Sequence, residues 1–313
     1  MPEQDIEIRK YHPEDKKVWN EFVESSKNGT FLFNRDYMDY HSDRFQDNSY
    51  LIYRKNKLYC LLPGCRKEEV FSSHAGLTYG GLIMNRDCTA EGILEVFSDL
   101  KERLVKEGFT KWIYKAIPHI YHKLPSEEDL YALFINDAKL IVRNVSSTIL
   151  LNNRIPVTRQ RRRSLTKALD NDIEVKPSSD FDSAWQIIND NLMERYGVKP
   201  VHDVVEISLL SRLFPNNIKL YGAYIENEMI GVALMYYTEK TAHAQYIHAN
   251  RKGKEIGAVD ALIEFLLENC SSSYFDFGNS NEKDGRYLNE SLIHLKQGFG
   301  GRAVCYDIYE IAL

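Results

Sequence analysis

The chain has 313 residues, 43% of them apolar and 12% aromatic, and a formal net charge of −5. That length predicts two domains of roughly 150 residues, and a near-neutral balance without an acidic or basic tail argues against DNA or non-specific nucleic-acid binding. Cys60, Cys65, Cys88, Cys270 and Cys305 are odd in number and show no CxxC spacing, which signals neither a disulfide framework nor a zinc site and fits a reducing compartment.

The opening MPEQDIEIRKYHPEDKK lacks the apolar core of a signal peptide, and no run approaches the ~20 apolar residues of a spanning helix. The expectation is a cytoplasmic protein without a transmembrane segment.

Periodicity predicts a strand over 5–11, a helix over 13–25 carrying Val18, Phe22 and Val23, and a short helix over 34–41. Strands follow over 49–54 and 57–66, joined at Lys55 and Asn56, and over 77–84. A helix over 89–107 presents Ile93, Phe97, Leu100 and Leu104 on one face, and the next strand, over 111–116, stops before Pro118. Ser126-Glu-Glu-Asp129 reads as a capping signature for a helix over 126–135, which leads to a strand over 139–151.

The second half repeats this order. A strand over 173–176 precedes a helix over 181–195, with Phe181, Ala184, Trp185, Ile188 and Leu192, and a helix over 204–214. Strands are predicted over 218–226, 229–237 and 241–249, the first pair turning at Glu226-Asn227-Glu228. A helix over 255–269, a strand over 274–277, a helix over 288–297 and a strand over 302–311 complete it. Residues 152–163 join the halves, so domains at 1–153 and 154–313 are expected, sharing element order but no residue-level repeat.

The order β-α-α-β-β-β-α-β-α-β resembles the GNAT acyltransferase fold, and two such halves in tandem resemble the Fem-type (FemABX) peptidyltransferases. RQRRRSLTKALDNDIEV is similar to that family's basic segment, FDFGNS to its penultimate strand and loop, and LKQGFGG to its lysine–phenylalanine–glycine ending. NGTFLFNRDYMDYH and YGGLI resemble GNAT-type relatives. The resemblance implies an α/β fold of mixed sheets in two tandem GNAT-like domains, the second carrying the active site. It further implies transfer of an acyl or aminoacyl group to an amine, on a small molecule or a peptidoglycan precursor. Acyl-CoA or aminoacyl-tRNA would be the co-substrate, with no permanently bound cofactor.

Two departures leave the donor open. Residues 170–177 pass straight from the basic helix to the next strand, without the long helical hairpin often found in Fem factors that use aminoacyl-tRNA. The segment RKGKEIGA at 251–258 lacks the [RQ]xxGx[GA] spacing of the acetyl-CoA branch. The alternatives are an acetyl-CoA-dependent N-acetyltransferase of a small amine or sugar, and a non-catalytic ligand-binding module.

Acyl transfer to an amine needs an unprotonated nucleophile, a path for its proton and donors for the oxyanion. The resemblance implies backbone N–H donors where central strands splay, between those ending near Ala249 and beginning near Tyr274, one such donor being worth ~3 kcal/mol. Asp276 ends an apolar strand with Phe275 and Phe277 on the opposite face, so it is a candidate for proton handling or for holding the amine. Its alternative is a cap for the following loop. Tyr246 and His248 share one face of their strand and are expected on the adjoining wall, and Tyr287 follows a polar loop from which it could close over substrate.

Lys296 brings a single cation to the end of a helix just before a turn; the resemblance implies that it faces a substrate phosphate or carboxylate, and its ordinary role would be a helix-dipole interaction of ~0.5 kcal/mol. Arg159, Arg162 and Arg163 fall on one helical face, able to grip a phosphate or sugar diphosphate or simply to be solvated. A helix starting after Lys252, Gly253 and Lys254 would offer free N–H groups to a further anion.

Other patterns are set aside. Asp276-Phe277-Gly278 spells a kinase tripeptide, but no GxGxxG or His-Arg-Asp loop accompanies it. His119 and His122 lack an HExxH context, and GxSxG is absent. His243 and His248 are separated by an odd number and are expected on opposite sides of their strand.

Overall fold

The computed structural model describes residues 6–313, among which two compact units are distinguished. The first comprises residues up to Asn144 with Lys283–Tyr287 and Cys305–Leu313; the second comprises Val145–Glu282 and Leu288–Val304.

The first unit carries β1 (Ile6–Lys10), α1 (Lys16–Ser25), α2 (Arg35–Met38), β2 (Gln46–Asp47), β3 (Tyr50–Arg54), β4 (Lys57–Leu62), β5 (Cys65–Lys67), β6 (Val70–Ser72) and β7 (Ile83–Met84). It continues through α3 (Ala90–Lys106), β8 (Lys111–Lys115) and α4 (Glu128–Ile135) into β9 (Lys139–Leu150), whose last residues belong to the second unit. The strands β1-β3-β4-β7 form one sheet, and β8-β6-β5-β2 form a second row. Thr89 accepts the Gly92 N–H to start α3, whose Ile93, Val96, Phe97, Leu100 and Leu104 are buried. Phe97 stacks on Trp112 of β8 with ring centroids 5.1 Å apart.

Several expectations change here. The predicted first strand is Ile6–Lys10, residue 5 lying outside the described residues. The strand predicted over 57–66 divides at Pro63-Gly64, because proline has no N–H for a ladder and a Cβ on Gly64 would sit 2.3 Å from the Phe71 ring. Of 77–84 only Ile83–Met84 pairs, and β6 forms instead in the polar stretch before it. Ser126 does not cap α4. Its hydroxyl donates to the Leu124 carbonyl, and Asp129 turns inward to accept from the Tyr114 hydroxyl at 2.6 Å.

The second unit adds α5 (Arg159–Asp170), β10 (Glu174–Ser178), α6 (Phe181–Tyr196), α7 (Val204–Leu213), β11 (Ile218–Ile225), β12 (Glu228–Tyr237), β13 (Thr241–Ala249), α8 (Arg251–Ile256) and α9 (Ala258–Glu268). Then come β14 (Tyr274–Asn279), β15 (Asn281–Glu282), β16 (Tyr287–Leu288), α10 (Glu290–Gly298) and β17 (Arg302–Ala312), parts of which lie in the first unit as given above. The sheet order is β10-β11-β12-β13-β14-β9, antiparallel throughout except for the central pair β13–β14. Leu262, Ile263 and Leu266 of α9 cover one face, packed with Ala233, Ala242, Ala244, Phe275 and Phe277. On β13, α6 packs through Trp185, edge-on to Tyr246 at 5.7 Å. The helix predicted over 255–269 begins earlier and breaks at Gly257, whose φ of +91° suits glycine and whose Cβ would meet the Ser164 carbonyl oxygen at 2.5 Å.

Candidate functional site

Two bulges part the central strands. Strands β13 and β14 pair in parallel at Thr241–Tyr274, Ala242–Phe275 and His243–Asp276, and among the described residues no ladder pair follows. On β13, Tyr246 faces Leu234 but Ala244 faces Met235, leaving Gln245 as an extra residue. On β14, Asp276 faces Thr148 of β9 while Asn279 faces Ser146, so Phe277-Gly278 carries an extra residue, with Gly278 at φ +75°. An extra residue bends its strand and increases local twist; bulges in both partners just past their last shared pair drive them apart.

A cavity of about 440 Å³ occupies the parting. Ala244 to Ala249 of β13, Phe277 of β14 and Leu292, Leu295 and Lys296 of α10 line it, together with Asn191 and Arg195 of α6 and Lys254, Val259 and Ile263. Small side chains make the space: Ala244 and Ala249 stand where a larger residue would fill it. The lining holds Arg195, Lys254 and Lys296, and among its described residues there is no carboxylate, the nearest ion pair being that of Lys254 with the exposed Glu194 at 3.9 Å. A concave site with one sign of charge and partly apolar walls concentrates the field on a ligand of opposite sign, here an anion.

Lys296 is buried, and its ammonium donates to the carbonyls of Gly278 and Asn279, both at 2.8 Å, holding the end of β14. Burial pushes its pKa down to about 8, partly countered by the Asp276 charge. His248 is pushed down to about 4 by burial and by the nearby Lys254 and Arg195 charges, so at neutral pH its imidazole is uncharged. Burial raises the Tyr246 hydroxyl above its ordinary value; that oxygen lies 3.5 Å from His202 Nδ1. Asn191 fixes α6 to the rim by donating to the Ala249 carbonyl at 2.9 Å.

Tyr246, His248, Lys254 and Lys296 therefore converge on one cavity, whereas the other sequence candidates lie elsewhere. Asp276 is fully buried and does not line the cavity. It accepts from the Ser146 hydroxyl, from the Thr148 hydroxyl at 2.8 Å and from His243 Nδ1 at 2.7 Å. A carboxylate so enclosed cannot itself touch an amine in the cavity. Tyr287 is 51% exposed, with the Lys283 ammonium 5.5 Å from its ring, and is assigned to the first unit.

Arg159, Arg162 and Arg163 are exposed on α5. Arg161 between them is the one that turns inward, meeting Asp260 at 3.1 Å and lying over the Phe299 ring. The anion cradle expected after Lys252, Gly253 and Lys254 is instead the helix α8, where the Gly253 N–H donates to Asn250 Oδ1 at 2.8 Å. A Cβ on Gly253 would stand 2.3 Å from the Ile230 carbonyl oxygen, so glycine serves helix-on-strand packing there. Lys252 pairs with Glu228 at 2.7 Å.

The parity argument for His243 and His248 also changes. Ala242, Ala244 and Ala249 belong to the core under α9, with Ile247 packed against it. The extra residue at Gln245 resets the alternation between them, so His243, Tyr246 and His248 all point to the α6 face. His243, Ser146 and Thr148 escaped the sequence reading because their link to Asp276 spans 33, 130 and 128 residues.

A mixed sheet whose one parallel central pair parts around a cavity, with α9 beneath and α6 above, defines the second unit as GNAT-like. No protein-family model matches the sequence, and no curated protein matches it. Among solved structures the chain is similar to FemX, at 12% identity over 97% of each chain with a TM-score of 0.65. It is also similar to L-PGS from Bacillus licheniformis, at 10% identity over 95% of this chain and 91% of that one, with a TM-score of 0.61. A tandem GNAT protein from the clavulanic acid biosynthesis pathway, in a structure without AcCoA, shares 10% identity over 98% of each chain with a TM-score of 0.51. At these identities the likeness is one of fold. The protein has the mixed α/β, tandem GNAT-like fold of the Fem type, and among its described residues no helix is long and apolar enough to cross a membrane.

Proposed function

We propose that the second unit is an N-acyltransferase, moving an acyl or aminoacyl group from an anionic donor to an amine. The observation that carries this reading is the carboxylate-free, cationic cavity at the parting of β13 and β14. Arg195, Lys254 and Lys296 hold the anionic part of the donor, while the apolar wall of Val259, Ile263, Phe277 and Leu295 takes its uncharged part. Beyond the last ladder pair, N–H groups of β13 on the β14 side lose their ladder carbonyls and can bond the oxyanion of the tetrahedral intermediate, a contribution of ~3 kcal/mol per donor. Uncharged His248 accepts a hydrogen bond from the incoming amine.

The Fem-type resemblance supports an amine on a peptidoglycan precursor as acceptor, with acyl-CoA or aminoacyl-tRNA as donor and a cytoplasmic setting. Incubation with acetyl-CoA or alanyl-tRNA and a panel of amines, including a cell-wall precursor, should give an N-acylated product by mass spectrometry. Lys296→Met, which removes two hydrogen bonds and a cation, should lower that turnover ~10²-fold. Absence of product from every donor would overturn the reading.

A further inference from the structure

The cavity's two faces differ in chemistry, and the difference bears on the acyl group rather than on its carrier. We infer that the group transferred is an uncharged aliphatic acyl chain, seated in the apolar pocket between the parting strands and α9, and not an aminoacyl group. This inference rests on the acyl-transfer reading above and narrows it.

Three observations carry it. The first is the pocket. Ala244 and Ile247 of β13, Phe277 of β14, Val259 and Ile263 of α9 and Leu295 of α10 line the cavity, and all six belong to the hydrophobic core beneath the sheet or pack against it. Val259 and Ile263 are four residues apart and share one face of the helix. None of these side chains can accept a hydrogen bond. The second is rigidity: the Phe277 ring is clamped edge-on to Phe275 at 4.9 Å and beside Phe299 at 6.0 Å, so the apolar wall keeps its shape.

The third is charge on the other face. There His248 is pushed down to about 4 by burial and by the Lys254 and Arg195 charges, so even an imidazole gives up its proton in that field. Lys296 already takes the Gly278 and Asn279 carbonyls, and Glu194, which pairs with Lys254 at 3.9 Å, is exposed and stands outside the lining. An aminoacyl group brings an α-ammonium, which ordinarily keeps its proton at pH 7. In the pocket it would find no acceptor, and on the α6 face it would meet Arg195 and Lys254. Burying an unpaired ammonium is costly, whereas an aliphatic chain gains from every methylene it takes out of water.

In the step, the amine nitrogen bonds to the acyl carbon, and the bond from that carbon to the carrier's sulfur or oxygen breaks. The leaving atom departs with the amine's proton.

Straight-chain carboxylates test the pocket without a carrier, because the carboxylate sets its charge among the cavity's cations and the chain enters the pocket. Calorimetric titration with acetate, butyrate and hexanoate should show affinity rising ~4-fold per methylene, about 0.8 kcal/mol each. 2-Aminohexanoate, the same chain with an α-ammonium, should bind at least ~10-fold more weakly than hexanoate. Ala244→Leu fills the pocket and should erase the chain-length dependence. Val259→Phe, at a partly exposed position on α9, should do the same and serves if the first variant fails to fold. In turnover, hexanoyl-CoA should outrun acetyl-CoA, and alanyl-tRNA should give no product. Affinity flat with chain length, or 2-aminohexanoate binding as tightly as hexanoate, overturns the inference. So does a chain-length dependence that survives both substitutions. Alanyl-tRNA consumed in preference to hexanoyl-CoA overturns it as well and leaves the acyltransferase reading standing. Chain-dependent binding in a protein that transfers nothing from any of the three donors removes the acyltransferase reading, and with it the pocket's role in transfer.

Discussion

The two units share an order of elements and fill the matching place in opposite ways. In the first, the strands before and after α3 are β7 and β8, and Ile83, Met84, Trp112 and Tyr114 on them are all fully buried. In the second, the strands at the parting contribute Ala242, Ala244 and Ala249, and a cavity results. Each unit also carries a lysine whose pKa desolvation pushes down to about 8, the partly buried Lys115 and the buried Lys296. Lys115 is spent on the carbonyls of His74, Ala75 and Leu77, whereas Lys296 holds two carbonyls and lines the cavity. The place between these strands is filled in one copy and open in the other.

The largest effect should follow from opening the closed copy. Trp112→Ala removes a ring stacked on Phe97 at 5.1 Å and surrounded by aromatic neighbours, and should cost ~4 kcal/mol. Urea unfolding measures it, and a loss below ~1 kcal/mol would mean that the aromatic plug is not what closes the first unit.

A second test concerns Asp129, which accepts from Tyr114 in that core and whose carboxyl is pushed up to about 6 by burial. A folded pKa above the unfolded value near ~4 means that the group's contribution is fully present below pH ~4 and lost as pH rises through about 6. Two pH units correspond to ~3 kcal/mol. Asp129→Asn keeps the Tyr114 hydrogen bond and should flatten the fall in stability across that window.

The open copy should respond to charge rather than volume. Lys254→Ala and Arg195→Ala should each weaken calorimetric binding of inorganic sulfate ~10-fold, about 1.4 kcal/mol, and added chloride should erode the difference. Lys115→Ala should leave binding unchanged. Equal losses in both units would deny that only the second cavity takes anions.

Much of the fold was legible because its long elements carry their own periodicity. The apolar stripe of α3 and the alternation of Phe275, Asp276 and Phe277 in β14 needed no tertiary information, and the shared order followed from such elements. What stayed hidden was produced by pairing. Gln245 looks like any strand residue until β12 is set beside it, yet as an extra residue it turns His243 to the face of Tyr246. Asp276 was visible as an acidic residue in an apolar strand; that Ser146 and Thr148 of β9 enclose it depends on a strand 130 and 128 residues away. Arg161 rather than its neighbours faces inward because Asp260 awaits it on α9. The candidate cavity was half legible for the same reason: Tyr246, His248, Lys254 and Lys296 lie near the strand ends, but the space between them is made by two bulges.

The smallest expected effect separates the two lysines most sharply. Lys296 is an ammonium below about pH 8 and increasingly a neutral amine above it. Because its pKa is depressed, the cation is present below that value and lost as pH rises through it, so sulfate affinity should fall ~3-fold between pH 7 and 9.5. Sulfate itself has no proton to lose in that range. Lys296→Met should abolish the dependence and keep the weaker affinity at every pH. Lys115 also titrates near pH 8, but it is bound to three carbonyls in the other unit, so Lys115→Met should leave the curve in place. If the curve persists without Lys296 and vanishes without Lys115, the anion site belongs to the first unit and the assignment of the open and closed copies is reversed.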